Sequence, residues 1–227
     1  MDAPTHLVAF DFDGTLSGSE MTVLLGERAG VADEMADITE RAMNDQLSYA
    51  RSLRSRADLL TGLDDDEATA AFEAVELRPG TAAVVARLRA AGHRVAVLTG
   101  GFERGVNVAL DRAGVVVDDV VANRLPVAGG ELTGAAEGPL VEGTKDDQLA
   151  RLAADADVGT DRTVAVGDGA NDLPMLDAAD LAVGYEPKPA VAPACDVEVA
   201  SMDALGDVFE RRGLLPSGDE RDDERAG

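Results

Sequence analysis

Asp11 and Asp13 stand two apart in Asp11-Phe12-Asp13-Gly14-Thr15, directly after the apolar run His6 to Phe10. Two carboxylates this close repel each other unless a cation or a shared proton relieves them. Gly14 lets the backbone turn, and its neighbours can present amides to an anion. A solvated turn capping a helix would use the same residue types. Thr99-Gly100-Gly101 supplies a hydroxyl and unobstructed N–H groups ahead of a helix, which suits a phosphate but also suits an ordinary turn. Gly167-Asp168-Gly169-Ala170-Asn171-Asp172 is more specific, because two acids and an amide converge after another apolar run. Oxygen-rich ligands of this kind fit a hard cation such as Mg2+, which takes few carboxylates plus water and substrate phosphate.

Lys145 stands out by contrast with the rest of the chain. Of 20 basic side chains only Lys145 and Lys188 are lysines. Lys145 follows Gly143-Thr144 at the start of a helical pattern, where a compact mobile charge can reach a phosphoryl oxygen. A leftover surface lysine is the competing reading. Lys188, between Pro187 and Pro189, reads as loop structure.

The elements that must position these residues follow from periodicity. His6–Phe10, Arg94–Leu98, Asp119–Ala122, Thr163–Val166 and Asp180–Val183 read as strands. Arg124–Ala128 and Glu131–Thr133 around Gly129-Gly130 read as a hairpin. Helical patterns cover residues 21–29, 33–43, 49–60 and 66–75, then 81–91, 103–113, 144–156, 173–178 and 202–212. Strands alternating with helices predict an α/β fold, a doubly wound parallel sheet of Rossmann-like type. Ligands of such sheets bind beyond the carboxyl ends of the strands, where the clusters at Asp11, Thr99 and Gly167 lie. The domain expectation is a core of residues 1–15 and 77–212, a small helical cap at 16–76 inserted after the first strand, and a disordered acidic tail at 213–227.

Composition sets the exclusions. The chain has 227 residues, with 20 Lys and Arg against 44 Asp and Glu, a formal charge of −24. Such a charge repels a phosphate backbone, so no nucleic-acid partner is expected. No apolar run approaches the ~20 residues of a membrane helix. Met1 to Ala9 has no basic-then-apolar signal, which points to a cytoplasmic location. One cysteine, Cys195, and two histidines, His6 and His93, speak against disulfides and against a Cys- or His-based metal site. Acidic excess, scarce lysine and small apolar residues together look salt-adapted, because at ~1 M salt the Debye length is only ~3 Å and the repulsion is screened.

The four clusters, in this order, resemble the haloacid-dehalogenase superfamily of phosphatases. Asp11–Thr15, Thr99–Gly101, Lys145 and Gly167–Asp172 match its four motifs. The similarity narrows to the phosphoserine phosphatases through Glu20, Arg56 in Ser52–Arg56, Gly100-Gly101-Phe102, Ala122–Leu125 and Val164–Asp172. It covers residues 5 to 212. The resemblance implies that Asp11 is a nucleophile forming an aspartyl-phosphate, and Asp13 the acid and base. It implies Mg2+ held by Asp11, the Asp13 carbonyl and Asp168. Thr99, Gly100 and Lys145 would hold phosphoryl oxygens, and Asn171 and Asp172 would position phosphate, metal waters and Lys145. Glu20 and Arg56 would take the ammonium and carboxylate of phosphoserine, and Met43 and Tyr49 would close the pocket. Read from their positions alone, Glu20 and Arg56 are equally a helix N-terminal acid and a helix-surface charge. Gly14 and Thr99 stand where members of that family often have Ser, which bears on the ester chosen and leaves the catalytic set intact. The implied activity is hydrolysis of phosphoserine, the last step of serine synthesis, by a monomer or homodimer. The alternatives are a phosphatase or phosphotransferase for another small metabolite, and a non-catalytic module that keeps the fold.

Overall fold

A computed structural model describes residues 5–43 and 46–216; the side chain of Met43 lies outside the described residues, as do residues 217–227. The chain enters as β1 (Leu7–Phe10) and leaves the sheet for four helices: α1 (Met21–Ala29), α2 (Ala32–Met43), α3 (Tyr49–Asp58) and α4 (Asp65–Glu73). It returns through α5 (Thr81–Ala90), β2 (Arg94–Phe102), α6 (Glu103–Ala113) and β3 (Asp119–Asn123). A hairpin, β4 (Val127–Ala128) and β5 (Glu131–Leu132), precedes α7 (Lys145–Asp155). Then follow β6 (Thr163–Gly167), α8 (Leu173–Ala178), β7 (Leu181–Tyr185), β8 (Val197–Val199) and α9 (Met202–Arg211).

Six strands form one sheet in the order β3-β2-β1-β6-β7-β8, and every adjacent pair is parallel. Its helices cover both faces because successive side chains point to opposite faces and, in the central strands β1, β6 and β7, all of them are buried. Val8 and Phe10 join Val97, Val166 and Val183 in a core filled by α5, α6 and α9. Leu7 and Ala9 face the other way, with Ala96, Leu98, Ala165 and Ala182, against α7 and α8. The strand order reverses between β1 and β6. Phe10 pairs with both Val97 and Val166, so the end of β1 lies level with Val166 near the end of β6, while β2 runs on past Val97 to Phe102. That reversal is where a crevice opens in such sheets.

The four-helix block does not have a separate core. Met21, Leu25, Leu53 and Phe72 belong to the same apolar cluster as Phe10 and Val97. The two chain segments that lead out to the block and back are tied side by side. Gly18 N donates to the Glu76 carbonyl at 3.1 Å, and Arg78 N to the Leu16 carbonyl at 2.8 Å.

Three expectations are corrected. β2 continues to Phe102, so Thr99–Gly101 belong to the strand rather than to a turn after it, with the ladder to β3 irregular between Leu98 and Phe102. Glycine within a strand marks such a bulge and a close approach by another group. β8 is absent from the sequence reading, being three residues long at the sheet edge with Glu198 exposed. The expected tail begins too early: Leu214 and Leu215 are buried against the main core, and the Leu214 carbonyl lies 2.6 Å from His93 Nε2.

Ion pairs along the surface are weak and screened, each worth ~0–1 kcal/mol, whereas the repulsion of a −24 charge acts over the whole molecule. The melting temperature is therefore expected to rise by several degrees between dilute buffer and roughly 1 M KCl. Calorimetry at the two salt levels checks this, and equal values would contradict it.

Candidate active site

Asp11 is the first residue beyond β1, and its N–H donates to the Val166 carbonyl at 2.8 Å. Its carboxylate is buried and lies 2.5 Å from Lys145 Nζ. Lys145, the first residue of α7, is itself 3 % exposed and also donates to Asp172 Oδ1. The other oxygen of Asp172 accepts from the backbone N–H groups of Asp168 and Gly169 at 3.0 and 2.9 Å. Asp172 thus has both oxygens engaged: it anchors the loop after β6 and aims Lys145 at Asp11. Asn171 Nδ2 adds a bond to Asp172 Oδ1 at 3.3 Å.

Oxygens of Asp11, Asp168 and Asp172 all lie within 4.8 Å of one another. Three carboxylates face one buried ammonium, so the set carries excess negative charge that fits a cation with oxygen ligands. Asp11 and Asp168 are the better donors, since Asp172 has no oxygen to spare. Burial, then the charge of Asp172, pushes the Asp11 carboxyl well up, with Lys145 opposing. Burial alone would pull the Lys145 ammonium down, but Asp11 and Asp172 together overcome it and hold the charge. Gly14 (φ +88°) closes this corner: a Cβ there would lie 2.8 Å from the Asp168 carboxyl.

Asp13 sits on the other side of the turn. Its Oδ1 accepts from Met21 N at 3.2 Å, which ties it to the start of α1. Burial first, and the charge of Glu20 second, push it up to about 8, so it holds a proton at neutral pH. Glu20 is the N-cap residue of α1 but makes no capping bond. It is exposed and contributes charge to both Asp13 and Lys188.

Thr99 is buried, and its Oγ1 accepts from Gly101 N at 2.9 Å, leaving the hydroxyl proton free to donate. Tyr49, the first residue of α3, lays its hydroxyl on Gly100: a Cβ at Gly100 would meet Tyr49 Oη at 1.6 Å. Tyr49 is 37 % exposed as a whole, yet burial pushes its phenol up to about 12. A cavity of about 380 Å3 lies here, lined by Tyr49, Gly100, Leu140, Val141, Lys145 and Asn171. Arg56 lies on the last turn of α3 and donates to Thr22 Oγ1 at 3.2 Å, while its Nε is buried without a partner. Among the described residues it is in no ion pair, so the surface-pair reading does not describe it. Met43 closes α2, its side chain outside the described residues.

Sequence reasoning assigned no supporting role to three residues. Asn123, fully buried at the end of β3, donates to the Gly100 carbonyl at 3.0 Å and accepts from Leu140 N at 3.0 Å. It links the Gly100 bulge to the loop that carries Lys145. Arg78 donates to the Gly14 carbonyl at 2.9 Å, pairs with Glu186 at 2.8 Å and lies 4.7 Å over the Tyr185 ring. Lys188 meets Asp168 Oδ2 at 3.1 Å. A polar residue closing a strand was the available signal for Asn123; the bracketing prolines hid Lys188.

A parallel sheet with its acids and lysine gathered at the strand reversal defines a phosphoryl-transfer class of α/β protein, and the comparisons agree. Residues 8–177 match the model of the haloacid dehalogenase-like hydrolases, and the chain belongs to that family. Within it, the chain is 59 % identical over 208 residues to the phosphoserine phosphatase of Halobacterium salinarum, covering 92 % of this chain and 99 % of that one. The structure of a substrate-bound phosphoserine phosphatase complex superposes with a TM-score of 0.84 at 32 % identity, over 92 % of this chain and 99 % of that chain. A phospho-aspartyl intermediate analogue of phosphoserine phosphatase gives a TM-score of 0.83 at 34 % identity, over 89 % and 97 %. No helix among the described residues is long and apolar enough to cross a membrane.

Proposed function

We propose that this chain hydrolyses O-phospho-L-serine to serine and phosphate, the final step of serine synthesis. The observation that carries this reading is the meeting of Asp11, Asp13, Lys145 and Asp168 at the reversal between β1 and β6. Asp11 attacks phosphorus, the bond from phosphorus to the serine oxygen breaks, and Asp13 gives its proton to that oxygen. Asp13 then takes a proton from the water that cleaves the aspartyl-phosphate and frees Asp11. Lys145, the Thr99 hydroxyl and the backbone at Gly100 hold phosphoryl oxygens, with Asn171 beside them, and they take up charge as it develops. The side chains of Asp11 and Asp168 and the carbonyl of Asp13 would hold Mg2+, which lowers the repulsion between a carboxylate nucleophile and a phosphate dianion. Asp172 positions Lys145 and the loop.

The helical block (16–76) acts as a cap over the core (1–15 and 77–212). Glu20 takes the substrate ammonium, and Arg56 takes its carboxylate with a paired donor fork. Tyr49 and Met43 form the wall. The enzyme works in the cytoplasm, as a monomer or homodimer, on a small ester and without nucleic acid or membrane.

Phosphate release from a panel of phosphorylated metabolites, with Mg2+ in high salt, tests the assignment. Phosphoserine is expected to be strongly preferred. Arg56→Ala is expected to raise KM for phosphoserine on the order of 100-fold, since a bidentate charged contact is lost. Esters lacking the carboxylate should change little. Turnover of other esters without phosphoserine would keep the catalytic core and discard the substrate.

A further inference from the structure

Lys188 is one of two lysines in the sequence, and both lie on the acidic cluster. Among the described residues every ion pair made by lysine falls on Asp11, Asp168 or Asp172. The other ion pairs all use arginine, as in Arg28–Glu67, Arg87–Glu210 and Arg94–Asp119. The chain therefore places lysine, rather than its usual cation, where a carboxylate must be held by a single point of charge.

The backbone fixes Lys188 in place. Its N–H donates to the Asp168 carbonyl at 2.9 Å, and its own carbonyl accepts from Val191 N at 2.8 Å and Ala192 N at 3.1 Å. Pro187 and Pro189 restrict the chain on either side. The ammonium reaches Asp168 Oδ2 at 3.1 Å, from a side chain 47 % exposed toward one 10 % exposed. Among the described residues, the other oxygen of Asp168 has only the Thr15 hydroxyl, at 3.5 Å. Lys188 thus stands between solvent and Asp168, on the outer side of a carboxylate whose inner neighbours are Asp11 and Asp172.

We propose that Lys188 is a displaceable counter-cation for the metal site. It neutralises Asp168 while no divalent ion is bound, and it competes with that ion for the same carboxylate. The inference rests on Asp168 being a metal ligand. An arginine could grip both carboxylate oxygens at once and would release them less readily. A lysine holds one oxygen and can swing into water, which its exposure permits. A positive charge a few ångströms from the ion also opposes it directly, and at a half-exposed position salt screens that opposition.

Mn2+ titration, followed by loss of the free-ion signal in electron paramagnetic resonance, tests this without reference to turnover. Lys188→Gln is expected to bind Mn2+ on the order of fivefold more tightly at roughly 0.1 M salt, with the gain shrinking near 1 M. Its metal-free melting temperature should fall, so the rise on adding Mn2+ should grow. Lys188→Arg is expected to bind Mn2+ more weakly than the native chain. A purely structural role predicts the opposite order, with Arg close to native and Gln weakened. Unchanged or weaker Mn2+ binding by Lys188→Gln would overturn the proposal and leave the catalytic reading standing. No Mn2+ binding by the native chain would overturn the metal assignment and this proposal with it.

Discussion

Asp11→Asn is expected to lower phosphate release on the order of 10^4-fold or more while the protein stays folded. An amide cannot supply the anionic oxygen that attacks phosphorus, and nothing else in the site can replace it. Asp13 is tied to Met21 N and holds its proton, Asp168 is engaged by Lys188, and Asp172 has both oxygens committed. The fold should tolerate the change for the same reason. Lys145 keeps its contact to Asp172, so no buried cation is stranded, and asparagine has the size of aspartate. One member of a repelling set of three carboxylates loses its charge, which favours the folded state. The measurement is phosphate release over hours beside a melting curve. A folded variant that turns over at the native rate would sink the nucleophile assignment and favour direct attack by water.

The sequence made the sheet and its catalytic corner readable because both depend on local patterns. A buried parallel strand is a short apolar run, and a ligand-binding edge puts polar residues directly after it. His6–Phe10 followed by Asp11, and Thr163–Val166 followed by Gly167–Asp172, state both in a few residues. Tertiary context hid the rest. Gly100-Gly101 looked like a turn, but they lie within the strand, and the Tyr49 hydroxyl from α3 occupies the space a side chain at Gly100 would take. Val197–Val199 is too short to announce a strand and gains its identity only by pairing with β7. Leu214 and Leu215 adjoin a polar terminus, yet long-range packing buries them. Asn123, Arg78 and Lys188 act through backbone carbonyls and carboxylates distant in sequence, which periodicity cannot reveal. The roles of Glu20, Arg56, Met43 and Tyr49 came from family likeness alone. For Arg56 the structure adds its lack of an ion partner among the described residues, and for Tyr49 its contact with Gly100.

Lys145→Met is expected to produce the largest combined loss, because Lys145 serves both the fold and the reaction. The native ammonium is buried between Asp11 and Asp172. Methionine fills similar space but leaves those carboxylates without a cation. Breaking a buried pair from one side costs about 3–5 kcal/mol, which for a chain of this size lowers the melting temperature by roughly 10 °C. The loss should depend on pH in a defined direction. Burial and Asp172 hold the Asp11 carboxyl above its unfolded value, with Lys145 the opposing influence. A carboxyl raised in the folded state binds its proton more readily folded than unfolded. Its stabilising contribution is present at low pH and is lost as pH rises through the folded value. Removing Lys145 raises that value further, so with a chelator present the variant should melt closer to the native chain at pH ~5 than at pH ~8. Calorimetry at the two pH values decides it: an equal deficit at both would mean that lost packing, not stranded charge, sets the cost. Turnover should fall separately, by about 10^2- to 10^3-fold under conditions where the variant is folded, since a preorganised charge on the phosphoryl oxygens is gone. Asp11→Asn in the same chain should restore stability without restoring turnover, because it removes one of the two stranded charges and the nucleophile together.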